Sequence, residues 1–313
     1  MKRFVVIGGG TGSYTVLRGL KDFDIDIIAV VSMFDDGGST GVLRDEHGIL
    51  PPGDIRRALV ALSSETEVMK SLFTHRFSDG KSLRGHSLGN LIFLGLRDIF
   101  GSDEEAIKQA ARILKIQGTV LPVSLTDSRL HAVLENGTTI DGETNIDNPK
   151  HDSHQRIKKV YLSPPAVIYA DTKRAIEWAD VIIIGPGDLY TSIIPNLLVE
   201  GMKEAIARSR AKKMYVCNLM TKYGETHSFT ASDHVKEIIA YSGIVPDYVI
   251  CNNQSFPKEL LVKYEEEQSY PVVVDREEIL QLGTKIVESP LIGETLARHD
   301  STKLAKLLSE VGK

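Results

Sequence analysis

The chain has 313 residues, of which 42% are hydrophobic and 25% charged, with a formal net charge of −5 and two cysteines. This composition is ordinary for a globular protein, and it excludes a basic stripe for nucleic-acid phosphates, a disulfide framework and a cysteine-rich zinc site. No signal-peptide pattern precedes the first strand, and no apolar run reaches the roughly 18 to 20 residues of a membrane span, so we expect a cytoplasmic protein without a nucleic-acid partner.

The first 60 residues predict a strand–helix–strand unit. Val5–Ile7 and Ile25–Val31 are continuous apolar runs rich in β-branched residues, typical of strands buried on both faces. A short helix is predicted between them at Thr15–Lys21. A unit of this size predicts a right-handed parallel crossover.

The middle of the chain departs from this alternation. Apolar residues at helical spacing indicate a helical layer over about 54–115. Short strands separated by Asn-Gly and Asp-Gly turns then indicate a β insert over about 118–165, with a polar loop at 145–154.

The α/β alternation then resumes. Strands are predicted at Val181–Ile184, Met214–Asn218, Tyr248–Cys251 and Pro271–Asp275, with helices around Asn196–Arg208 and Ser232–Ala240. The whole chain, 1–313, is therefore predicted to be a single α/β domain. Its expected fold is Rossmann-like and doubly wound, with a mainly parallel sheet, a helical layer and a small β insert.

A glycine-rich turn, Gly8–Ser13, follows the first strand and opens a helix. Glycines let the backbone approach a phosphate, and the helix N-terminus supplies free N–H groups and the positive end of the helix dipole. We predict ligand contacts from Gly9, Gly10, Thr11 and Gly12. The turn is an imperfect dinucleotide fingerprint because Ser13 stands at the third glycine position, and it lacks the lysine of a P-loop. The alternative is a strand–helix turn without a ligand.

The second strand runs into a loop with two acids, Asp35 and Asp36, followed by two glycines and Ser39. In nicotinamide-binding proteins an acid at this position hydrogen-bonds a ribose hydroxyl, so NAD is one possible ligand. The adjacent acids also predict a Mg²⁺ site or a hydroxylated ligand, and the glycines with Ser39 predict a second anion-binding nest. An acidic surface turn is the alternative.

Two further helix starts carry candidate ligand-binding residues. Asp54 is an expected N-cap that also enters the predicted site, and Arg56 or Arg57 could reach a phosphate. His86 and Asn90 are four residues apart, hence on one helix face, which suits either a site or a structural role.

A third glycine- and hydroxyl-rich loop follows the strand at Val181–Ile184 and contains Gly187 and Thr191. Asn218 and Asn252–Asn253 follow two later strands. Because parallel strands end at one edge of a sheet, these loops are expected to converge there and bind the ligand. No G-x-S-x-G elbow, zinc-spaced His/Cys cluster or Cys–His pair supports a hydrolase, a zinc enzyme or a cysteine nucleophile.

Seven motifs in this order resemble the bacterial gluconeogenesis factor family over essentially the whole chain. They are Gly8-Gly9-Gly10-Thr11-Gly12, Asp35-Asp36-Gly37-Gly38-Ser39, Leu50-Pro51-Pro52-Gly53-Asp54-Ile55-Arg56, Gly85-His86 with Leu88-Gly89-Asn90-Leu91, Gly187 with Leu189-Tyr190-Thr191-Ser192-Ile193-Ile194-Pro195-Asn196, Asn218-Leu219-Met220-Thr221 and Arg298-His299-Asp300. That family belongs with the phospholactate transferases of deazaflavin-cofactor biosynthesis, which transfer a phospholactyl group from a guanylyl donor with magnesium.

The resemblance implies a cytoplasmic protein, needed for growth and normal cell shape on gluconeogenic carbon sources, that binds uridine-diphosphate sugars such as UDP-N-acetylglucosamine. It also implies that Tyr264 and Arg298 lie near the nucleotide-sugar. Family members often read Gln-Pro-Gly-Glu-Thr where this chain has Lys222-Tyr223-Gly224-Glu225-Thr226, so this loop departs from the pattern.

The sequence thus favours a nucleotide-sugar-binding regulatory protein, with a homodimer as a further expectation. The alternatives are a magnesium-dependent phospholactate or nucleotidyl transferase and a nicotinamide-dependent oxidoreductase.

Overall fold

A computed structural model describes residues 1–152, 154–293 and 296–312. The strands are β1 (Arg3–Gly8), β2 (Asp26–Val31), β3 (Thr119–Pro122), β4 (Arg129–Leu134), β5 (Thr139–Asp141), β6 (Ile157–Ser163), β7 (Val181–Ile184), β8 (Lys212–Val216), β9 (Tyr248–Asn252) and β10 (Lys285–Ser289). The helices are α1 (Gly10–Leu20), α2 (Gly38–His47), α3 (Pro52–Leu62), α4 (Glu67–Thr74), α5 (Leu88–Phe100), α6 (Asp103–Ile113), α7 (Glu143–Asp147), α8 (Ala170–Glu177), α9 (Ile194–Leu197), α10 (Met202–Arg208), α11 (Ala231–Ser242), α12 (Lys258–Glu265), α13 (Arg276–Gln281) and α14 (Ser301–Gly312). A π-helical turn, Leu189–Ile193, precedes α9.

Seven strands of the described chain form one parallel sheet in the order β10-β9-β8-β7-β1-β2-β3. The predicted Rossmann-like α/β fold is confirmed. The strand order changes direction between β1 and β7, and the carboxyl ends of two such strands bound the crevice where open α/β sheets bind ligands. Both strands are fully buried over their paired residues, as their continuous apolar sequences predict.

The helical layer consists of α3 to α6. α3 packs against α1, and α5 packs against both α4 and α6. No helix within the described residues is long and apolar enough to cross a membrane.

The β region differs from its prediction in two respects. β3 lies within the predicted insert but is the edge strand of the main sheet, so only β4, β5 and β6 form a separate antiparallel sheet, in the order β5-β4-β6. The predicted polar loop at 145–154 begins inside α7. Local sequence could not decide which sheet β3 joins, because both choices bury the same apolar side chains.

The strand predicted at Pro271–Asp275 is wrong. Pro271 makes one isolated bridge to Met220, and Val272 donates a hydrogen bond to the carbonyl of Leu219, so this segment packs against the loop after β8. The sheet position beside β9 is taken by β10, a half-buried edge strand that the sequence analysis missed.

Candidate functional site

A cavity of about 770 Å³ opens at the carboxyl edge of the sheet, where β1 and β7 separate the two halves of the fold. Its walls come from the loops after β1, β7 and β8, from the end of α7, from α12 and from the segment before α14. The lining residues are Gly9, Gly10, Thr11, Gly12, Thr15, Asp147, Asn148, Pro149, Pro186, Gly187, Asp188, Ser192, Asn218, Leu219, Met220, Thr221, Lys222, Tyr223, Lys263, Tyr264, Glu267, Ser269, Leu296, Ala297, Arg298 and His299. The loops after β1, β7 and β8 therefore converge on a concave site as predicted, whereas the acidic loop after β2 and Asn252–Asn253 at the end of β9 do not line it.

The glycine loop forms the base of this cavity. Gly9 precedes α1 and offers no side-chain cap, so the first amides of α1 remain available to an anion. Gly12 is required by packing, because a Cβ there would lie 2.1 Å from the carbonyl oxygen of Pro186. The loops after β1 and β7 are thereby held in direct contact.

Eight of the sixteen predicted ligand-binding residues line the cavity. They are Gly9, Gly10, Thr11, Gly12, Gly187, Asn218, Tyr264 and Arg298. Tyr264 and Arg298, which were predicted from the resemblance alone, belong to neighbouring segments: the Tyr264 hydroxyl accepts a hydrogen bond from the Ala297 amide at 3.2 Å.

The segment carrying Arg298 is anchored from its C-terminal side. Asp300 caps α14, since one carboxylate oxygen accepts hydrogen bonds from the amides of Thr302 and Lys303, both at 2.9 Å. The start of α14 packs tightly on α1, where a Cβ on Gly19 would lie 2.1 Å from the Ser301 carbonyl oxygen. Residues 300 and 301 are therefore anchored to α14 and α1, two positions after the exposed side chain of Arg298.

Two polar atoms of the cavity wall have no hydrogen-bond partner among the described residues. They are Asn218 Oδ1 and His299 Nε2. Burial lowers the pKa of His299 to about 4, so its imidazole is neutral at physiological pH. An unpaired amide oxygen and an unpaired imidazole nitrogen are suited to the hydroxyl and amide groups of a ligand.

The other predicted residues, apart from Thr191, form a second cluster beside the cavity. Asp54 belongs to this cluster and also contacts the cavity wall, because a Cβ on Gly9 would lie 2.4 Å from Asp54 Oδ2. Asp54 accepts a hydrogen bond from Arg57 Nη1 at 2.9 Å. It also raises the pKa of Asp35, whose own burial is the larger cause of that increase. Asp35 and Asp54 therefore form a closely spaced acid pair at the edge of the glycine loop.

The two adjacent acids predicted as a pair have different environments. The Asp36 carboxylate accepts hydrogen bonds from the Glu143 amide at 3.2 Å and the Thr144 amide at 2.9 Å, at the N-terminus of α7. Asp35 instead accepts the Gly37 amide at 2.9 Å and lies next to Asp54. Asp36 thus fastens the antiparallel region to the main sheet.

Ser39, His86 and Asn90 form one hydrogen-bond network. Ser39 Oγ lies 3.2 Å from His86 Nδ1 and accepts a hydrogen bond from Asn90 Nδ2 at 3.3 Å. Asn90 Oδ1 in turn accepts a hydrogen bond from Arg56 Nε at 3.0 Å. These contacts join α2, α3 and α5 beside the cavity.

The sequence analysis missed a cluster centred on Lys222. Lys222 Nζ pairs with Asp147, with Asp188 at 3.0 Å and with Glu225 at 2.9 Å, and we call these four residues the Lys222 cluster. Carboxylate oxygens of the three acids lie within 4.8 Å of one another. The departure of this loop from the family pattern was the one sequence feature that drew attention to this lysine.

Glu225 is the buried member of the cluster, with a side-chain exposure of 0%. It accepts hydrogen bonds from the Tyr190 amide and from Thr191 Oγ1, so the predicted residue Thr191 supports this cluster. Burial raises the pKa of Glu225 to about 7, although Lys222 acts in the opposite direction. Burial lowers the pKa of Lys222, but the three acids outweigh it and raise the pKa, so the lysine stays charged.

Glu143 is a second residue that the sequence analysis missed. Burial raises its pKa to about 9, and Asp35, Asp147 and Asp36 add to the increase. It sits at the start of α7, within the electrostatic reach of both the cavity and the acid pair. No local motif marks it, because its burial and its proximity to Asp35 and Asp36 arise only in the folded chain.

Known proteins resemble this chain over nearly its whole length. The family model described as 2-phospho-L-lactate transferase CofD matches residues 4–292. The chain is 42% identical to the gluconeogenesis factor of Bacillus subtilis (strain 168), over 99% of this chain and 98% of that protein. It is also 42% identical to the gluconeogenesis factor of Halalkalibacterium halodurans, over 99% of this chain and 96% of that protein. A crystal structure of a UPF0052-family protein from Bacillus halodurans superposes with a TM-score of 0.94 at 41% identity, covering 98% of each chain.

Proposed function

This chain belongs to the gluconeogenesis factor family and to the wider family described by the CofD model, and we propose that it is a regulatory protein that binds a nucleotide-sugar. The proposed ligand is of the UDP-N-acetylglucosamine type, and the proposed role is support of growth and cell shape under gluconeogenic conditions. The cavity at the β1/β7 crevice is the proposed binding site.

One observation carries this proposal: an uncapped helix N-terminus and an arginine line the same cavity. The free amides of α1 suit the oxygens of a diphosphate, and Arg298 adds a planar fork that can bond two of them. A volume of about 770 Å³ lies within the range of small-molecule sites and accommodates a base, a ribose and a sugar. Asn218 Oδ1 and His299 Nε2 supply unpaired polar groups for the sugar or the base.

The nicotinamide alternative is less well supported. Ser13 occupies the third glycine position of the fingerprint, and its Oγ would lie 2.4 Å from a Cβ on Gly8, so this side chain fills the turn. Asp35, the acid that would hydrogen-bond the ribose of NAD, lies next to Asp54 and does not line the cavity.

Calorimetric titration with UDP-N-acetylglucosamine and with NAD tests the proposal. We expect the parent to bind the UDP-sugar more tightly, and Arg298→Ala to weaken that binding by about tenfold or more, since one charge-assisted hydrogen bond is worth roughly 1.5 to 3 kcal/mol. Arg298→Lys recovers part of the loss, because a lysine cannot reproduce the planar fork. Arg112→Ala, at an exposed arginine in the last turn of α6, is the matched control and leaves the affinity unchanged.

Two results would contradict the proposal. Micromolar affinity for NAD with no heat from any UDP-sugar would favour the oxidoreductase alternative. Unaltered UDP-sugar affinity in Arg298→Ala would remove this residue from the site.

A magnesium-dependent phospholactate or nucleotidyl transferase is the second candidate, favoured by the acid pair Asp35 and Asp54. Their carboxylate oxygens are the ligands that Mg²⁺ prefers, and Asp35 is largely buried beside Asp54, whose charge raises the pKa of Asp35 after burial itself, so the two residues fit a cation. Asp36, the other predicted ligand, is already bonded to the start of α7. A bound Mg²⁺ would supply charge neutralisation at a transferring phosphoryl group.

Cleavage of a nucleoside-diphosphate donor distinguishes the two functions. A transferase shows magnesium-dependent product formation that chelation and Asp54→Asn both abolish. A regulatory binder shows no turnover, and its UDP-sugar affinity changes little on chelation.

A further inference from the structure

We propose that the N-termini of α2 and α5 together form a second, oxyanion-binding site that takes the phosphate group of a small phosphorylated metabolite. The site lies beside the nucleotide-sugar cavity, and it does not depend on that ligand being bound. It thus goes beyond the proposed function.

The two helix N-termini meet at Ser39. Ser39 stands in the first turn of α2, and its Oγ accepts a hydrogen bond at 3.2 Å from the amide of Ser87, the residue that precedes α5. Asn90, in the first turn of α5, donates to the same Oγ at 3.3 Å. The positive ends of two helix dipoles, of 10 and 13 residues, therefore point into one region.

Donors in this region lack acceptors. The amides of Gly38 and Ser39 in α2, and of Gly89 and Asn90 in α5, have no acceptor among the described residues, as expected for the first turn of a helix without a side-chain cap. Ser87 is 1% exposed and its Oγ is also unpartnered. Ser87 is the N-cap of α5, but its hydroxyl makes no capping hydrogen bond, so both this hydroxyl and the first amides of α5 stay unpaired. Leaving a buried polar group unpaired is costly, so a ligand that brings acceptors is favoured.

Arginine side chains and His86 surround the same region. Arg76 Nη1 is the atom nearest to a Cβ built on Gly38, at 3.9 Å, and His86 Nδ1 lies 3.2 Å from Ser39 Oγ. Burial lowers the pKa of Arg56 to about 10, and repulsion from Arg57 and Arg76 adds to the decrease, while Asp54 and Asp35 act in the opposite direction. Of these three arginines, only Arg57 has a carboxylate partner within the described chain, and that partner is Asp54. An anion would relieve this crowding of positive charge.

The acids nearest to α2 do not occupy the site. Asp36 accepts the amides at the start of α7, and Asp35 accepts the Gly37 amide, which precedes the free amides of α2, and bonds the side chain of Thr40 in the first turn of α2. A phosphate group presents three oxygens in a tetrahedral arrangement, which matches four amides and a guanidinium better than the two oxygens of a carboxylate do. The inferred ligand is therefore a phosphate group.

Titration of the full-length protein with inorganic phosphate, followed by calorimetry and by ³¹P line broadening, tests this inference. Acetate at equal ionic strength is titrated in parallel, to measure the binding of a carboxylate. We expect saturable phosphate binding and weaker or no acetate binding. Arg76→Ala weakens phosphate binding by about tenfold or more, and Arg76→Lys recovers part of it.

Three further variants make the result specific. Ser87→Ala weakens phosphate binding severalfold without lowering the melting temperature of the phosphate-free protein, because the hydroxyl it removes has no partner there. Arg112→Ala, the exposed control on α6, leaves phosphate binding unchanged. Arg298→Ala also leaves it unchanged, because Arg298 belongs to the cavity.

The inference is overturned if phosphate does not saturate, if acetate binds as well as phosphate, or if Arg76→Ala and Arg112→Ala bind phosphate equally. Loss of phosphate binding in Arg298→Ala would place the ion in the cavity and would also overturn it. Failure of UDP-sugar binding with intact, Arg76-dependent phosphate binding would contradict the proposed function alone.

Discussion

Replacing Lys222 with methionine removes the ammonium group that lies between the carboxylates of Asp147, Asp188 and Glu225. Methionine keeps most of the aliphatic stem, so the change is mainly one of charge. Three acids are then left without their shared counter-ion. We expect the folded state to lose stability, and we expect Glu225 to account for most of the loss because its side chain is fully buried.

The size of the loss follows from the burial of each pair. Breaking a fully buried ion pair by removing one partner costs roughly 3 to 5 kcal/mol, whereas exposed pairs contribute about 0 to 1 kcal/mol. The side chains of Asp147 and Asp188 are 33% and 43% exposed, so their pairs with Lys222 add little. Glu225 can also take up a proton, which limits the cost. We expect Lys222→Met to lose about 2 to 3 kcal/mol near neutral pH.

The loss is expected to depend on pH. Burial raises the pKa of Glu225 from 4.5 to about 7, so the parent loses some stability as the pH rises through this range. Lys222 lowers the pKa of Glu225, and its removal raises that pKa further. Glu225 is protonated in both proteins at pH 5, where the difference in stability is small, and the difference grows toward pH 8.

Thermal and urea denaturation at pH 5 and pH 8 measure this effect. For a chain of this size, 1 kcal/mol corresponds to about 2 °C, so the melting temperature falls by roughly 4 to 6 °C. The matched control is Lys236→Met, which breaks an exposed pair with Asp233 and costs under about 1 kcal/mol. Adding Glu225→Gln to Lys222→Met restores most of the loss. Equal shifts for the two lysine variants, with no pH dependence, would refute the reasoning.

Gly12→Ala is expected to abolish detectable UDP-N-acetylglucosamine binding in calorimetry, because its Cβ would lie 2.1 Å from the Pro186 carbonyl oxygen and push the cavity loops apart. Gly95→Ala, inside α5 where an added Cβ meets nothing within 4 Å, is instead expected to raise stability by about 0.5 to 1 kcal/mol in thermal denaturation. Burial raises the pKa of Glu143 from 4.5 to about 9, so the parent loses more stability than Glu143→Gln as the pH rises through that interval; parallel urea stability curves from pH 5 to pH 9 would contradict this.

Much of the architecture was predictable from local sequence. Continuous β-branched runs separated by helices require strands buried on both faces, and hence a parallel sheet covered by helices. The glycine loop follows the first of these strands, so its position at the carboxyl edge was determined once the sheet was parallel. The cap of α14 by Asp300 is likewise predictable from local sequence, since the bonded residues are two and three positions apart.

Tertiary structure alone decided which partner each polar side chain contacts. Asp35 and Asp36 are neighbours in sequence, yet one faces Asp54 and the other binds the amides of α7, more than 100 residues away. A peptide bond fixes the distance between adjacent α-carbons, but it does not fix which partners their side chains meet.

The sequence by itself determined the α/β fold, the family and the edge of the sheet at which the cavity lies. The tertiary structure decided which charges meet there. Lys222 and Glu143 carry no local motif, and their shifted pKa values depend on burial and on acids from distant parts of the chain as well as on the nearby Glu225 and Asp147. Electrostatic energy depends on distance through space and on burial, and neither quantity is encoded by spacing along the chain.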